Sequence, residues 1–472
     1  MLPHFAGKLA ALVLPLTAVI VAFSGCLIMV AVARRKQREK YFEALDEARA
    51  RYRPMITGLL AGQQEYQQVA SALKGIVGPR RTVVLERLCL EKIPQPADLP
   101  ILQRLCQDLG LVETWQRDLS SSLRAPARRP LRALLSSPGD FVERMERLSF
   151  LLRAKSAENL RLIRHGPSWP LLVKALEDPH PDVQAIAARA LGAIGEPQSL
   201  PALVEQLHRV VLGPGLGLSV RSIKAALVSF PLQFAYHLQP SLKHPHPRIR
   251  FLATDIIREM ADLEAAKSKD SALALDTFPA ELGEIFLTRL PADTNPDVRA
   301  RSAPVIANLR DPRTTPALLA LLEDQQWFVR LHTVRALARP RYVPQAAPIA
   351  RLMTDSNWRV REASAHALVC LGQFDLLMEH LIHSDDRYTR EQIAEELERH
   401  GFMAIILAQY AAGAQARERS VVEQLARMGK TSYIIARLQN GAPPRLRERL
   451  AMDFGRHTDP GLRAWAEHIA QA

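Results

Sequence analysis

Few side chains in this 472-residue sequence stand at spacings that do chemistry. Gly429-Lys430-Thr431 has the ending of a phosphate-binding loop, whose backbone N–H groups cradle phosphates while the lysine meets their charge. The glycine such a loop needs five positions earlier is Gln424, and no strand-like run precedes it, so nucleotide binding is not expected. Gly213-Pro214-Gly215-Leu216-Gly217 lacks a strand-to-helix context and reads as a turn. His380-x-x-His383, with Asp385 and Asp386 following, comes nearest to a metal-ligand cluster, at a spacing that no standard zinc site uses. Neither a GxSxG elbow nor an HExxH pair occurs. Cys26, Cys89, Cys106 and Cys370 are widely separated with no CxxC, which argues against a zinc ribbon or a secreted disulfide framework. No catalytic residue, cofactor or metal is therefore expected. The residues that remain are suited to surfaces.

The first such surface is a membrane. From Leu9 to Ala33 no side chain is charged, and a run of 25 residues is long enough to cross the hydrocarbon core as a helix. Arg34, Arg35, Lys36, Arg38 and Lys40 follow at once, against Lys8 alone on the other side. The positive-inside rule then sets the amino terminus outside and everything after Arg34 in the cytoplasm. A cleaved signal peptide fits less well, because the apolar run is too long and arginines follow the small-residue site at Ala31–Ala33. Within the run, Ala18, Ala22 and Cys26 recur every four residues, a small-residue stripe that allows close helix–helix approach in lipid.

The second is a basic collar. Residues 34–165 hold 25 basic and 15 acidic side chains, so most of the net charge of +13 falls there. Helices are expected on either side of prolines, with Pro54 ending or kinking the first, and Leu102, Leu105, Cys106 and Leu109 marking an apolar face. Arg124, Arg128, Arg129 and Arg132 cluster between Pro126 and Pro130 and beyond. Solvation alone would account for them. Contact with an anionic lipid surface or an acidic protein partner would use them, whereas no nucleic-acid motif or interleaved aromatic accompanies them.

The rest of the chain repeats. DPHPDVQAIAARAL (178–191), HPHPRIRFLATDI (244–256), TNPDVRARSAPVI (294–306), DQQWFVRLHTVRAL (324–337) and DSNWRVREASAHAL (355–368) share one pattern. Weaker copies begin near 218 and 385, and again around Val421 and Leu446. Anchors at 183, 220, 249, 298, 329, 360, 389, 421 and 446 recur about every 31 residues, two short helices and their turns. The exception is a gap of 49 that admits an insert at about 261–281. Asp or Asn with Pro should start each second helix, and Val360, Ser364, Ala367 and Leu368 should share its buried face. Asp459-Pro460 should open a final, capping helix.

These copies resemble the HEAT-repeat family, particularly its short bacterial repeats, over about 169–472. The resemblance implies an all-α solenoid in which Arg250, Arg299, Arg330 and Arg361 are structural, pairing with acidic residues of adjacent repeats. Iron-dependent hydroxylases of this kind carry adjacent His-Glu pairs. This chain has no His-Glu dipeptide, and the comparable stretch reads Val360-Arg361-Glu362-Ala363. A HEAT-type enzyme or accessory lyase is thus the alternative reading. The organisation expected is a short extracytoplasmic tail (1–8), a transmembrane helix (9–33), a basic helical region (34–165) and a cytoplasmic solenoid (166–472). The function expected is that of a single-pass inner-membrane scaffold for a protein partner, by resemblance one of an envelope or polysaccharide-biogenesis complex.

Overall fold

The computed structural model describes residues 2–77, 81–91, 94–120, 150–213, 218–267, 278–413, 416–430, 434 and 445–471. Every regular element among them is helical. The chain forms two compact units, residues 1–199 with 216–226 and residues 200–215 with 227–472.

The first unit opens with α1 (Leu2–Leu60), which enters the core through Leu45, Ile56 and Leu59. Pro54 does not end this helix, which runs on to Leu60. Toward its start, Ile28, Met29, Val30 and Val32 are exposed apolar side chains. Among the described residues no helix is long and apolar enough to cross a membrane. Side chains of residues 2–23 and Leu27 lie outside that description, so the span expected over 9–33 gains no support here and stands on sequence alone. Helices α2 (Tyr66–Lys74) and α3 (Arg81–Cys89) pack on α1. In α4 (Leu99–Asp108) the apolar face is as expected, with Leu102, Leu105, Cys106 and the following Leu109 all buried. Next come α5 (Leu111–Ser120), α6 (Phe150–Leu162), α7 (Trp169–Ala175) and α8 (Pro181–Ile194), with α6 packed against both α5 and α8. Glu86 is buried in this core. It accepts hydrogen bonds from Trp115 Nε1 at 2.6 Å, from Asn159 Nδ2 at 3.3 Å and from Lys155. A carboxylate is tolerated there because each oxygen has a donor.

The chain continues with α9 (Leu200–Leu212) in the second unit and α10 (Val220–Val228), most of which belongs to the first. The register of this weak copy differs from expectation: Val220 is half-buried, and Ile223 takes the fully buried place. The second unit proceeds through α11 (Gln239–Leu242), α12 (Pro247–Lys267), α13 (Ala280–Thr288), α14 (Pro296–Ile306) and α15 (Thr314–Leu322). Then follow α16 (Trp327–Leu337), α17 (Ala346–Arg351), α18 (Trp358–Cys370), α19 (Phe374–His383) and α20 (Arg387–Arg399). The last four are α21 (Phe402–Ala411), α22 (Ala416–Arg427), α23 (Leu446–Phe454) and α24 (Pro460–Gln471). The insert expected at 261–281 begins as helix, since 261–267 continue α12 with Ala261 buried; residues 268–277 lie outside the described ones.

In this unit α12, α14, α16, α18 and α20 pack each on the next, while the shorter α13, α15, α17 and α19 form a second layer. Local chemistry sets where they start. Asn295 and Asn357 accept from the backbone N–H two residues on, and Pro296 occupies the first turn of α14. Val298, Val329 and Val360 are fully buried, as are Ser364, Ala367 and Leu368. Four residues after the anchors, Ser302, Thr333 and Ser364 are buried small hydroxyls. Each donates to a carbonyl of its own helix at 2.7 or 2.8 Å, which satisfies the hydroxyl without a partner across the tight stack.

Arginines lock neighbouring repeats. Arg250 donates two hydrogen bonds to Asp293 at 2.7 and 2.8 Å, Arg299 to Asp324 at 2.6 and 2.9 Å, and Arg330 to Asp355 at 2.7 and 2.8 Å. Each aspartate also accepts a backbone N–H two residues later, and the next arginine donates to its carbonyl. The structural role expected for these arginines is what the geometry gives. Arg361 ends the series, reaching Asp386 only at 3.9 Å. In the first unit Arg153 and Asp178 form the same bidentate pair at 2.7 and 2.9 Å.

Candidate functional sites: an aromatic row and a carboxylate between two histidines

Of the membrane and partner contacts expected from sequence, Cys26, Arg35 and Lys36 are exposed on α1, with Arg35 donating to Glu39 at 3.0 Å. The side chains of Ala18, Ala22 and Arg34 lie outside the described residues, as do Arg124, Arg128, Arg129 and Arg132 altogether. Gly429 is a helix end. Its φ of +74° lets Lys430 N–H reach back to the Leu425 carbonyl at 3.0 Å, which accounts for the loop-like sequence without a phosphate. His380 and His383 both lie on α19, where burial lowers the proton affinity of His380 against the opposing charge of Glu379. Asp386 is occupied as the cap of α20, accepting from Thr389 Oγ1 at 2.7 Å and Tyr388 N–H at 3.0 Å.

Two arrangements were not singled out in the sequence. The first is a row at the starts of successive helices. Trp327 opens α16 and Trp358 opens α18, each two residues before its buried anchor, and Tyr388 follows the first residue of α20. Trp358 is 54% exposed and Tyr388 67%. The Arg359 guanidinium lies 5.5 Å from the Trp327 ring centroid and 5.4 Å from that of Trp358, within cation–π range of both. Large aromatic faces left in water at repeat-spaced positions are suited to contact with another surface.

The second is a cluster between α18 and α20, which pack together. Glu396, on α20, is 2% exposed. His366 Nδ1 lies 2.6 Å and His400 Nε2 3.1 Å from the same carboxylate oxygen, Glu396 Oε1. Arg399 Nη1 donates to the other oxygen, Oε2, at 2.5 Å. Both imidazoles are exposed, and their centroids are 5.6 Å apart. On the far side of His366, its Nε2 is 3.5 Å from Sγ of Cys370, one turn along α18. Burial and the Glu396 charge both push the Cys370 thiol up, which keeps it protonated. The sequence signal for this set was a pair of i, i+4 spacings, His366–Cys370 and Glu396–His400, set about one repeat apart. Donor atoms of His366, Glu396 and His400 all lie within 4.8 Å of one another.

Residues 127–210 and 283–369 match the family model for HEAT repeats. Those two stretches carry HEAT repeats, and the helices described within them stack on one another. No curated protein matches it in sequence. Among solved structures it is similar to human deoxyhypusine hydroxylase in complex with glycerol, at 17% identity and a TM-score of 0.24, covering 62% of this chain and 96% of that one. It is also similar to the CpcE–CpcF complex of phycocyanin lyase from Nostoc sp. PCC7120, at 16% identity and 0.22, covering 66% and 94%. A third is Kap95p in complex with RanGDP, at 12% identity and 0.38, covering 86% of this chain and 60% of that one.

Proposed function

We propose that this protein is a membrane-anchored scaffold that binds a protein partner rather than an enzyme. The observation that carries the reading is the row Trp327, Arg359, Trp358 and Tyr388, with the Arg330–Asp355 pair holding α16 in register with the repeat of Trp358. Interface energy concentrates in a few Trp, Tyr and Arg side chains on rigid supports, and this row supplies all three. Partner binding is tested by affinity purification from membranes, followed by direct titration of each recovered protein. Replacing Trp358 and Tyr388 together by Ala should weaken the true partner by about thirtyfold or more, the scale of a hot spot of about 2 kcal/mol. Unchanged affinity would remove the row from the interface.

Anchoring rests on the uncharged run Leu9–Ala33 and the basic residues after it, with Ala18, Ala22 and Cys26 as the face for a second helix in lipid. Arg34, Arg35 and Lys36, with Arg124, Arg128, Arg129 and Arg132, would meet anionic headgroups of the inner leaflet, while the solenoid works in the cytoplasm as part of an inner-membrane complex.

A further inference from the structure

We propose that His366, Glu396 and His400 bind a divalent transition-metal ion of the zinc type. Three observations carry this. The donor atoms already converge, with both imidazole nitrogens within 3.1 Å of one carboxylate oxygen and the whole set within 4.8 Å. An ion with ligand distances of about 2.1 Å holds neighbouring ligands roughly 3.4 Å apart, a spacing that lies between the shortest and the widest separations of this set. The placement is also rigid: Glu396 and His400 are one helical turn apart, and His366 comes from the adjacent repeat across a packed interface. Finally, the carboxylate is buried and oriented, whereas both histidines face solvent and leave an entry path. Arg399 holds Oε2 and leaves Oε1 toward the two rings, the kind of outer contact that fixes a metal ligand.

Two imidazoles and a carboxylate suit zinc, cobalt(II) or nickel(II) rather than calcium or magnesium, and three protein ligands leave a coordination position for water. Ligation needs each ring to present a lone pair. The N–H that points at Oε1 moves to the ring's other nitrogen, which in His366 is Nε2, facing Cys370 Sγ at 3.5 Å. Cys370 then acts as a positioning residue through His366, outside the ligand set.

The test uses the purified full-length protein in detergent, stripped of metal and titrated with Co²⁺ followed by visible absorption, then with Zn²⁺ against a chromophoric chelator. One equivalent should bind, with the intense d–d bands of four-coordinate cobalt. His366→Ala and His400→Ala should each weaken binding by more than the ~10–100-fold that loss of an outer-shell partner brings. His380→Ala should leave it unchanged. Circular dichroism verifies that the exposed histidine variants stay folded. X-ray absorption of the zinc-loaded wild type, which needs no variant, should show imidazole and oxygen neighbours without sulfur. No stoichiometric band, a band that survives the double histidine variant, or sulfur in the first shell overturns the proposal. Glu396 would then be a polar brace between repeats.

Discussion

An aspartate such as Asp355, with its side chain 4% exposed, is admissible in a repeat interface only because Arg330 grips both of its oxygens. Removing one partner leaves the other charge buried and uncompensated, which costs about 3–5 kcal/mol. Asp355→Ala should lower the unfolding free energy by that much in urea. Asp375→Ala, which breaks an ion pair to Arg417 whose carboxylate is largely in water, should change it little. The pairs also fix an acid limit. Burial pushes the Asp324 and Asp355 carboxyls up, but the hydrogen bonds and charges of Arg299 and Arg330 outweigh it and hold both below the ordinary value. A carboxylate depressed in the folded state binds fewer protons there than when unfolded. Its contribution is therefore complete above about pH 4 and is lost as pH falls through the folded value. Denaturant midpoints measured from pH 6 downward should drop steeply below about pH 4, and the step should shrink in the Arg330→Gln variant.

At the scale of the element, the buried stripe of α18 was legible in sequence, because anchor, small residue and leucine fall on one face of any helix begun at Trp358. Leu368 is fully buried there. Leu368→Asp should lower the melting temperature by circular dichroism by several degrees or more, since an unpaired charge enters the stack. Leu263→Asp, at an exposed position of α12, should not. Other elements were less legible, for physical reasons. Val220 carries the pattern's aliphatic residue, yet the helix turns Ile223 inward, because one side chain in a degenerate copy does not fix the rotation of a nine-residue helix. Asn295 and Asn357 cap their helices while Asp293 and Asp355 receive the arginines. Residue type alone does not separate these two duties, because both side chains accept hydrogen bonds. The Glu396 cluster escaped local motifs altogether. His366 and Glu396 stand 30 residues apart, and only the stacking of α18 on α20 brings them together.

For the whole molecule, the proposed anchor implies an orientation about a membrane that length and charge predict. The 25 residues from Leu9 to Ala33 would extend about 37 Å as a helix, more than the ~30 Å of hydrocarbon, so the proposed anchor has the length to span with some tilt. Within it, Ile28, Met29, Val30 and Val32 are exposed, and α1 does not bury a side chain in the first unit until Leu45 among the described residues. Exposed apolar side chains of this kind suit contact with another surface, and the membrane reading of the run rests on the sequence. In the proposed anchor, the five basic residues between 34 and 40, against Lys8 before the run, would keep the following chain in the cytoplasm, because short flanks rich in Lys and Arg resist translocation. Reporter fusions after residue 60 and after residue 472 should therefore both read as cytoplasmic, and carbonate extraction should leave the protein in the membrane fraction. Reversing the charge bias, with Arg34, Arg35 and Lys36 changed to Glu and lysines added before Leu9, should send part of the population into the opposite orientation. Periplasmic activity from either unmodified fusion, or release of the protein by carbonate, would overturn the proposed anchor and with it the cytoplasmic scaffold.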